Sequence, residues 1–294
     1  MMPNFFILGA PKCGTTSLAH WLSKHPSIFI SDPKEPRFFN TDFNLPGRPN
    51  HIESYQDIFA GAQGYEAIGE ASTGYLVSEV AVKRIVERAP NSRFIVCLRH
   101  PADMVVSLHA QRLKEGVENI KSCQDAWNAQ CKRREGKNSP VMCPDLKLLD
   151  YERFCMLGAQ VDALLHVVNR KDVCFVLLED LQDRPESELE RVCRFLGVRP
   201  VTLGDFNRKN EGYLPRSIFL SQLARGLMRF RQALGLTSGF GVGARLREIN
   251  RSYDRNKAPH KFKKMLHEHF RSDIELLAQR SGLDIAHWLD ASRV

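Results

Sequence analysis

The chain has 294 residues, of which 43% are hydrophobic and 26% charged, an ordinary balance for a globular protein with length enough for a buried core. No run of 18 apolar residues occurs, so no membrane-spanning helix is expected. The short apolar run near the amino terminus has no basic stretch before it, so a strand is expected there rather than a signal peptide, and the location expected is cytoplasmic. The net charge of +8 suits an anionic ligand, an anionic acceptor or a membrane surface.

Apolar runs alternate with helical patterns, the signature of an α/β fold. Residues 5–8 predict a buried strand. Leu18, Trp21 and Leu22 follow at helical spacing, and Pro26 bounds that helix. Residues 28–30 and 67–68 read as weaker strands. Ala81, Ile85 and Val86 mark a helix that stops before Pro90. Residues 94–98 predict a strong strand, and Pro101 opens the helix carried on by Val105, Leu108 and Arg112. One long helix is expected over about 146–168, on the stripe Leu146, Leu149, Leu157, Val161, Leu164, Leu165 and Val168. Residues 173–178 predict a third strong strand. A helix from Pro185 stops at Gly197, and a last one runs from about 260 to 279. The expected fold is therefore a P-loop-like central parallel sheet with helices on both faces, in a single domain over residues 1–294. Its core would span about 1–200, and a basic helical part about 208–294. Ligands of such sheets bind beyond the carboxyl ends of the strands.

The first strand ends in Gly9-Ala10-Pro11-Lys12-Cys13-Gly14-Thr15-Thr16-Ser17-Leu18. A helix start presents unpaired N–H groups and a partial positive charge to an anion. Gly14 lets the backbone approach closely. Thr15, Thr16 and Ser17 add hydroxyls, and Lys12 a full charge. Gly9 and Gly14 have the spacing of the NTPase phosphate loop, G-x-x-x-x-G-K-[ST]. The lysine, however, lies two residues before Gly14 instead of directly after it. That placement suits a nucleotide with one 5′-phosphate bearing a transferable group. A second anion site is expected at the strand-end Arg99 with Ser107, which shares a helix face with His100 and Asp103.

Residues 11–18 resemble the 5′-phosphosulfate loop of sulfotransferases that use 3′-phosphoadenosine 5′-phosphosulfate (PAPS), the heparan-sulfate-type and bacterial enzymes especially. The resemblance implies that Lys12, Cys13, Gly14, Thr15, Thr16 and Ser17 hold the 5′-phosphosulfate, with Lys12 stabilising the leaving group. Arg99 and Ser107 resemble the family's 3′-phosphate motif. Lys34-Glu35-Pro36-Arg37-Phe38-Phe39-Asn40 resembles the segment that carries its general base, here Glu35; His100 and His109 are the nearest competitors. Gly69-Glu70-Ala71-Ser72-Thr73-Gly74-Tyr75 resembles another family segment, except that Ala71 stands where relatives often carry lysine. Arg255 and Lys257 fall roughly where relatives carry a basic cofactor loop. The implied activity is transfer of a sulfuryl group from PAPS to a hydroxyl or amine of a carbohydrate or other small acceptor.

The rival enzyme is a P-loop kinase or NTPase using ATP and magnesium, with Glu179-Asp180 after the third strong strand as metal ligands. No cluster has metal-ligand spacing, and the implied mechanism requires no metal. A third class is a membrane-surface binder. Between 208 and 264 there are fourteen Lys or Arg and three acids. Within that stretch Leu220, Leu223, Leu227, Phe230 and Leu234 form a helical stripe, read as core packing or as a membrane-docking face. Nothing but charge supports a nucleic-acid partner, and none is expected. The eight cysteines form no C-x-x-C pair and read as free thiols.

Overall fold

Strands β1 (Phe5–Gly9), β2 (Ile28–Ile30), β3 (Ala67–Ala71), β4 (Arg93–Leu98) and β5 (Val173–Leu177) pair in parallel in the order β2-β3-β1-β4-β5. The computed structural model describes residues 1–202, 204, 206, 214–233, 249–250 and 258–290. Phe5, Phe6, Ile7 and Leu8 are fully buried, as a strand covered on both faces requires. β3 reads weakly because Gly69 and Glu70 interrupt its apolar run, yet all five of its residues are buried.

The helices among the described residues are α1 (Thr15–Leu22), α2 (Ile52–Gln56), α3 (Ala81–Arg88), α4 (Pro101–Lys114), α5 (Cys123–Arg134) and α6 (Tyr151–Cys155). They continue with α7 (Leu157–Leu165), α8 (Leu178–Asp183), α9 (Pro185–Leu196), α10 (Ile218–Ala233) and α11 (His260–Ser281). The connection from β1 to β2 runs one way across the sheet, and those from β3 to β4 and β4 to β5 run the other way. Right-handed crossovers then put α1 on the opposite face from α3 and α4. α1 packs with α9, whereas α4, α6, α7 and α11 pack among themselves. The connections leave the neighbouring parallel strands β1 and β4 in opposite directions, so the crevice beyond their carboxyl ends is the switch point where such sheets bind ligands.

The single helix expected over 146–168 is broken. A 3-10 turn spans Leu146–Leu149, and α6 and α7 follow as separate helices. Asp150 caps α6 by accepting from the Arg153 N–H at 3.1 Å. Met156 leaves helical geometry. The carboxylate of Asp273 on α11 then accepts from the Gly158 and Ala159 N–H groups at 2.8 and 2.9 Å, capping α7 from a distant part of the chain. α5 went unread because polar Gln130 and Arg133 lie on its buried face; Arg133 is held there by a two-pronged bond to Glu118, both contacts 2.7 Å.

The stripe on α10 does not pack inward. Leu223 and Leu227 are 44% and 45% exposed, and Phe230 65%. The helix instead docks through its polar side, where Asn250 bonds Ser217 and Ser221, and Arg225 bonds the carbonyls of Met142 and Glu115. Leu234 lies outside the described residues, as do Arg255 and Lys257. All eight cysteines are free thiols.

Candidate functional site

The loop after β1 turns tightly because three residues take left-handed backbone: Gly9 (φ 148°), Lys12 (φ 68°) and Gly14 (φ 87°). At Gly9 a side chain is excluded twice, by this φ and because a Cβ would lie 2.8 Å from the carbonyl oxygen of Thr73. The loop is pinned to the sheet where Ala10 N–H donates to Cys97 O at 2.8 Å. Cys13 points inward to Met104, and burial raises its thiol to about 12; only its backbone is available to a ligand. α1 begins directly at Thr15, with no side-chain cap and no acid in its first turn. Its positive end is therefore not neutralised locally.

Lys12 stands at the mouth of this loop. Burial holds its ammonium below the ordinary lysine value; Glu115 opposes that, while Lys114 and Arg99 reinforce it. Arg99 lies one residue beyond β4, and its Nη1 is 3.5 Å from the Lys12 carbonyl oxygen. On α4 the half-buried positions are Asp103, Ser107, Gln111 and Lys114, a single stripe at helical spacing. Ser107 thus shares a face with Gln111, which lines the cleft described next.

A cleft of about 300 Å³ opens beside the loop, with Pro11, Glu35, Arg37, Thr73, Arg112 and Arg225 in its walls. Glu35 is fixed from three sides. Thr73 Oγ1 donates to its Oε1 at 3.1 Å, Arg37 Nε donates to its Oε2 at 3.0 Å, and Lys34 Nζ lies 3.5 Å from Oε1. Burial alone would push this carboxyl up, but Arg37, Lys34 and the bonds from Arg37 and Thr73 hold it below its usual value. It is therefore ionised at neutral pH. Lys34 also donates to Thr16 Oγ1 at 3.2 Å, which joins the Glu35 loop to the start of α1. Phe38 and Phe39 anchor that loop from beneath: both are buried, Phe38 stacks on Tyr55 at 4.6 Å, and Phe39 meets Phe6 edge-on at 6.0 Å.

Glu70, wholly buried, underlies this arrangement. It accepts from Tyr55 and from Ser72 Oγ at 2.6 Å; Ser72 Oγ in turn accepts from the Arg37 N–H at 3.0 Å. Burial raises the Glu70 carboxyl to about 7 against these bonds. The segment 69–75 was legible as a motif, but the support it gives Arg37 and Thr73's bond to Glu35 were not. Arg112 was missed as a cleft residue and read only as one more residue of α4; Glu115 and Arg225, from stretches expected to shape the choice of acceptor, line the cleft with it. Ala71, where relatives often carry lysine, is buried at the end of β3; among the described residues the cations lining the cleft are Arg37, Arg112 and Arg225.

The competing residues are occupied elsewhere. His100 caps α4 through Nδ1 and meets Trp288 O through Nε2 at 3.1 Å, and the buried His109 meets Ile120 O at 2.9 Å. Glu179 bonds His287 and Trp288, and Asp180 pairs with Arg184 at 2.7 Å. Among the described residues no group of His, Cys, Asp and Glu could hold a metal ion.

The chain is similar to proteins already known. Over 208 residues, 68% of this chain, it is 28% identical to a mouse (Mus musculus) bifunctional heparan sulfate N-deacetylase/N-sulfotransferase 4, covering 23% of that protein. It is 31% identical over 206 residues to the human (Homo sapiens) bifunctional heparan sulfate N-deacetylase/N-sulfotransferase 2, covering 22% of it. The chain thus spans about a quarter of the length of these curated relatives. A sulfotransferase from Alicyclobacillus acidocaldarius superimposes with a TM-score of 0.71 at 25% identity, covering 99% of this chain and 100% of that one. The model of the sulfotransferase domain matches residues 2–208, a span that holds the loop after β1, the Glu35 loop, Arg99 and Ser107, and the chain belongs to the sulfotransferase family.

Proposed function

We propose that the protein moves a sulfuryl group from PAPS to a hydroxyl or amine of a carbohydrate or other small acceptor. The observation that carries this reading is the junction of two loops: Lys12 and the uncapped start of α1 on one side, and ionised Glu35 on the other, tied by Lys34 to Thr16. The residues present fit the donor. An ammonium held down by burial, with no acid in the adjoining helix turn, gains from an incoming anion. PAPS supplies a sulfuryl group on a 5′-phosphate. Arg99 and Ser107, on β4's carboxyl end and α4's open stripe, are suited to the 3′-phosphate, a group that ATP lacks.

Glu35 accepts the proton that the acceptor loses as its oxygen or nitrogen bonds to sulfur. The bond from sulfur to the bridging oxygen breaks, and its electron pair stays on the departing 5′-phosphate. Lys12 offsets that charge. The product is adenosine 3′,5′-bisphosphate. Positioning and electrostatics supply the acceleration, as in phosphoryl transfer through a loose transition state. The relatives' names include heparan sulfate, and the cleft's arginines suit an acidic glycan. A magnesium-dependent kinase is disfavoured by the place of Lys12 and by the bonds that engage Glu179 and Asp180.

The test is a thermal shift with adenosine 3′,5′-bisphosphate against ADP with magnesium. At a hundred times its dissociation constant a ligand adds about 2.7 kcal/mol of stability. The expected result is stabilisation by the bisphosphate, lost in Arg99→Ala. Preference for ADP with magnesium would overturn the reading.

A further inference from the structure

The segment 38–50 has two faces. Asn40, Phe43 and Leu45 look into the acceptor cleft, while Phe38, Thr41 and Arg48 line a separate cavity of about 320 Å³. That volume lies at the small end of the range for ligand pockets, ~300–1,000 Å³. Arg84 and Arg88, four residues apart on α3 and so on one face, complete it with His51 and Glu53. It shares no residue with the phosphate loop.

Two of its arginines are anchored through one nitrogen each. Arg48 Nη1 donates to the carbonyls of Asn40 and Phe43 at 3.3 and 3.2 Å. Arg84 Nη1 donates to Phe39 O at 3.4 Å and to Thr41 Oγ1 at 2.6 Å. Elsewhere Arg93 and Arg170 are spent on carbonyl oxygens, while Arg112, Arg133, Arg134, Arg184, Arg191 and Arg194 have carboxylate partners. Among the described residues Arg48, Arg84 and Arg88 have none, and Glu53 shares their cavity without pairing to any of them. Three guanidinium groups and one carboxylate line the cavity, so its walls keep a net positive charge that favours an incoming anion. The planar donor forks of the guanidinium groups match the oxygens of an oxyanion.

We propose that this cavity is a second anion site, which takes a sulfate, phosphate or carboxylate group either from an acidic unit of the acceptor or from a free anion. Only the first of these sources rests on the proposed sulfotransferase reading. Because Arg48 and Arg84 hold the backbone of residues 39–43, an occupant would brace the wall that the acceptor meets from the other side.

The experiment is a thermal-shift titration with sodium sulfate at constant ionic strength, on protein saturated with adenosine 3′,5′-bisphosphate to fill the donor site. The expected result is a saturable rise in Tm whose half-point weakens about tenfold or more in Arg88→Ala and in Arg48→Met. Arg88 is exposed and makes no backbone bond, so its removal spares the fold; a retained bisphosphate response verifies folding in both variants. An absent saturable rise, or an unchanged half-point in both variants, would overturn the site. If the bisphosphate itself gives no response, the sulfotransferase reading fails, while the sulfate titration still reads the cavity. A carboxylated hexasaccharide that abolishes the sulfate response assigns the cavity to an acidic acceptor. A persisting response assigns it to a free anion, and the anion site stands in either case.

Discussion

Lys34 Nζ donates to Thr16 Oγ1 at 3.2 Å while standing 3.5 Å from Glu35 Oε1. One ammonium therefore spans the helix start that would face the donor and the carboxylate that would face the acceptor. Lys34→Met is expected to loosen both ends, raising KM for PAPS and for the acceptor together. A change confined to one substrate in steady-state kinetics would show that the bridge is incidental.

Lys12 carries a charge that its surroundings disfavour, since burial holds its ammonium below the ordinary value. A lysine lowered in this way costs stability when protonated, and the cost fades as pH rises through its folded value. Lys12→Met is therefore expected to raise the Tm of the ligand-free protein at neutral pH. Turnover should fall about a hundredfold or more, the scale for losing one transition-state donor. Melting curves and single-turnover rates check the two halves independently.

The Glu35 carboxyl lies below its usual value because Arg37 and Lys34 outweigh burial. The acid limb of kcat/KM, which reports groups of the free enzyme, should then lie below the ordinary glutamate range. Arg37→Ala removes a positive charge, so the limb should move to higher pH. Glu35→Gln should lower kcat by about 10²–10⁴-fold with bisphosphate affinity retained. A pH profile that is the same with and without Arg37 would remove Glu35 from the proton transfer.

Glu70, raised by burial to about 7, is neutral over a range where an unfolded chain would have it ionised. For a carboxyl raised in this sense, stability is fully present below its unfolded value and is lost as pH rises toward 7. Glu70→Gln should flatten that decline. It should also lower kcat, because the amide keeps one acceptor oxygen for the two donors Tyr55 and Ser72, which loosens the Ser72 hydroxyl that holds the Arg37 N–H. Denaturation midpoints of both proteins between pH 5 and 8, set beside kcat, separate the positioning role from a purely structural one.

Behind the cleft, Glu118 and Arg133 form a wholly buried pair, with Tyr151 donating to Glu118 Oε2 at 2.7 Å. Glu118→Gln leaves a buried guanidinium without its counter-charge and should cost about 3–5 kcal/mol. Replacing both partners by Met should recover much of that loss in urea denaturation.

Three of the strands were plain in the sequence because each is a nearly unbroken apolar run. β3 was only half visible, since its Glu70 is buried through bonds to Tyr55 and Ser72 that no local pattern announces. The tight turn after β1 was legible as well: Gly9, Lys12 and Gly14 shape its backbone within a few residues. The walls of the cleft were not. Arg112 and Arg225 come from helices more than a hundred residues apart in sequence, and only the packing of α10 on the end of α4 brings them together. The break between α6 and α7 was hidden for the same reason, because its cap, Asp273, lies on α11.

Gly9 leaves no room for a Cβ beside the carbonyl of Thr73, the residue whose hydroxyl steadies Glu35. The first residue of the loop proposed for the donor and the support of the proposed base are thus gauged against each other by an absent side chain. Gly9→Ala would push those two halves out of step while leaving every charged group in place. Such an enzyme should still grip the bisphosphate and yet deliver its cargo to the wrong place, with water competing against the proper acceptor.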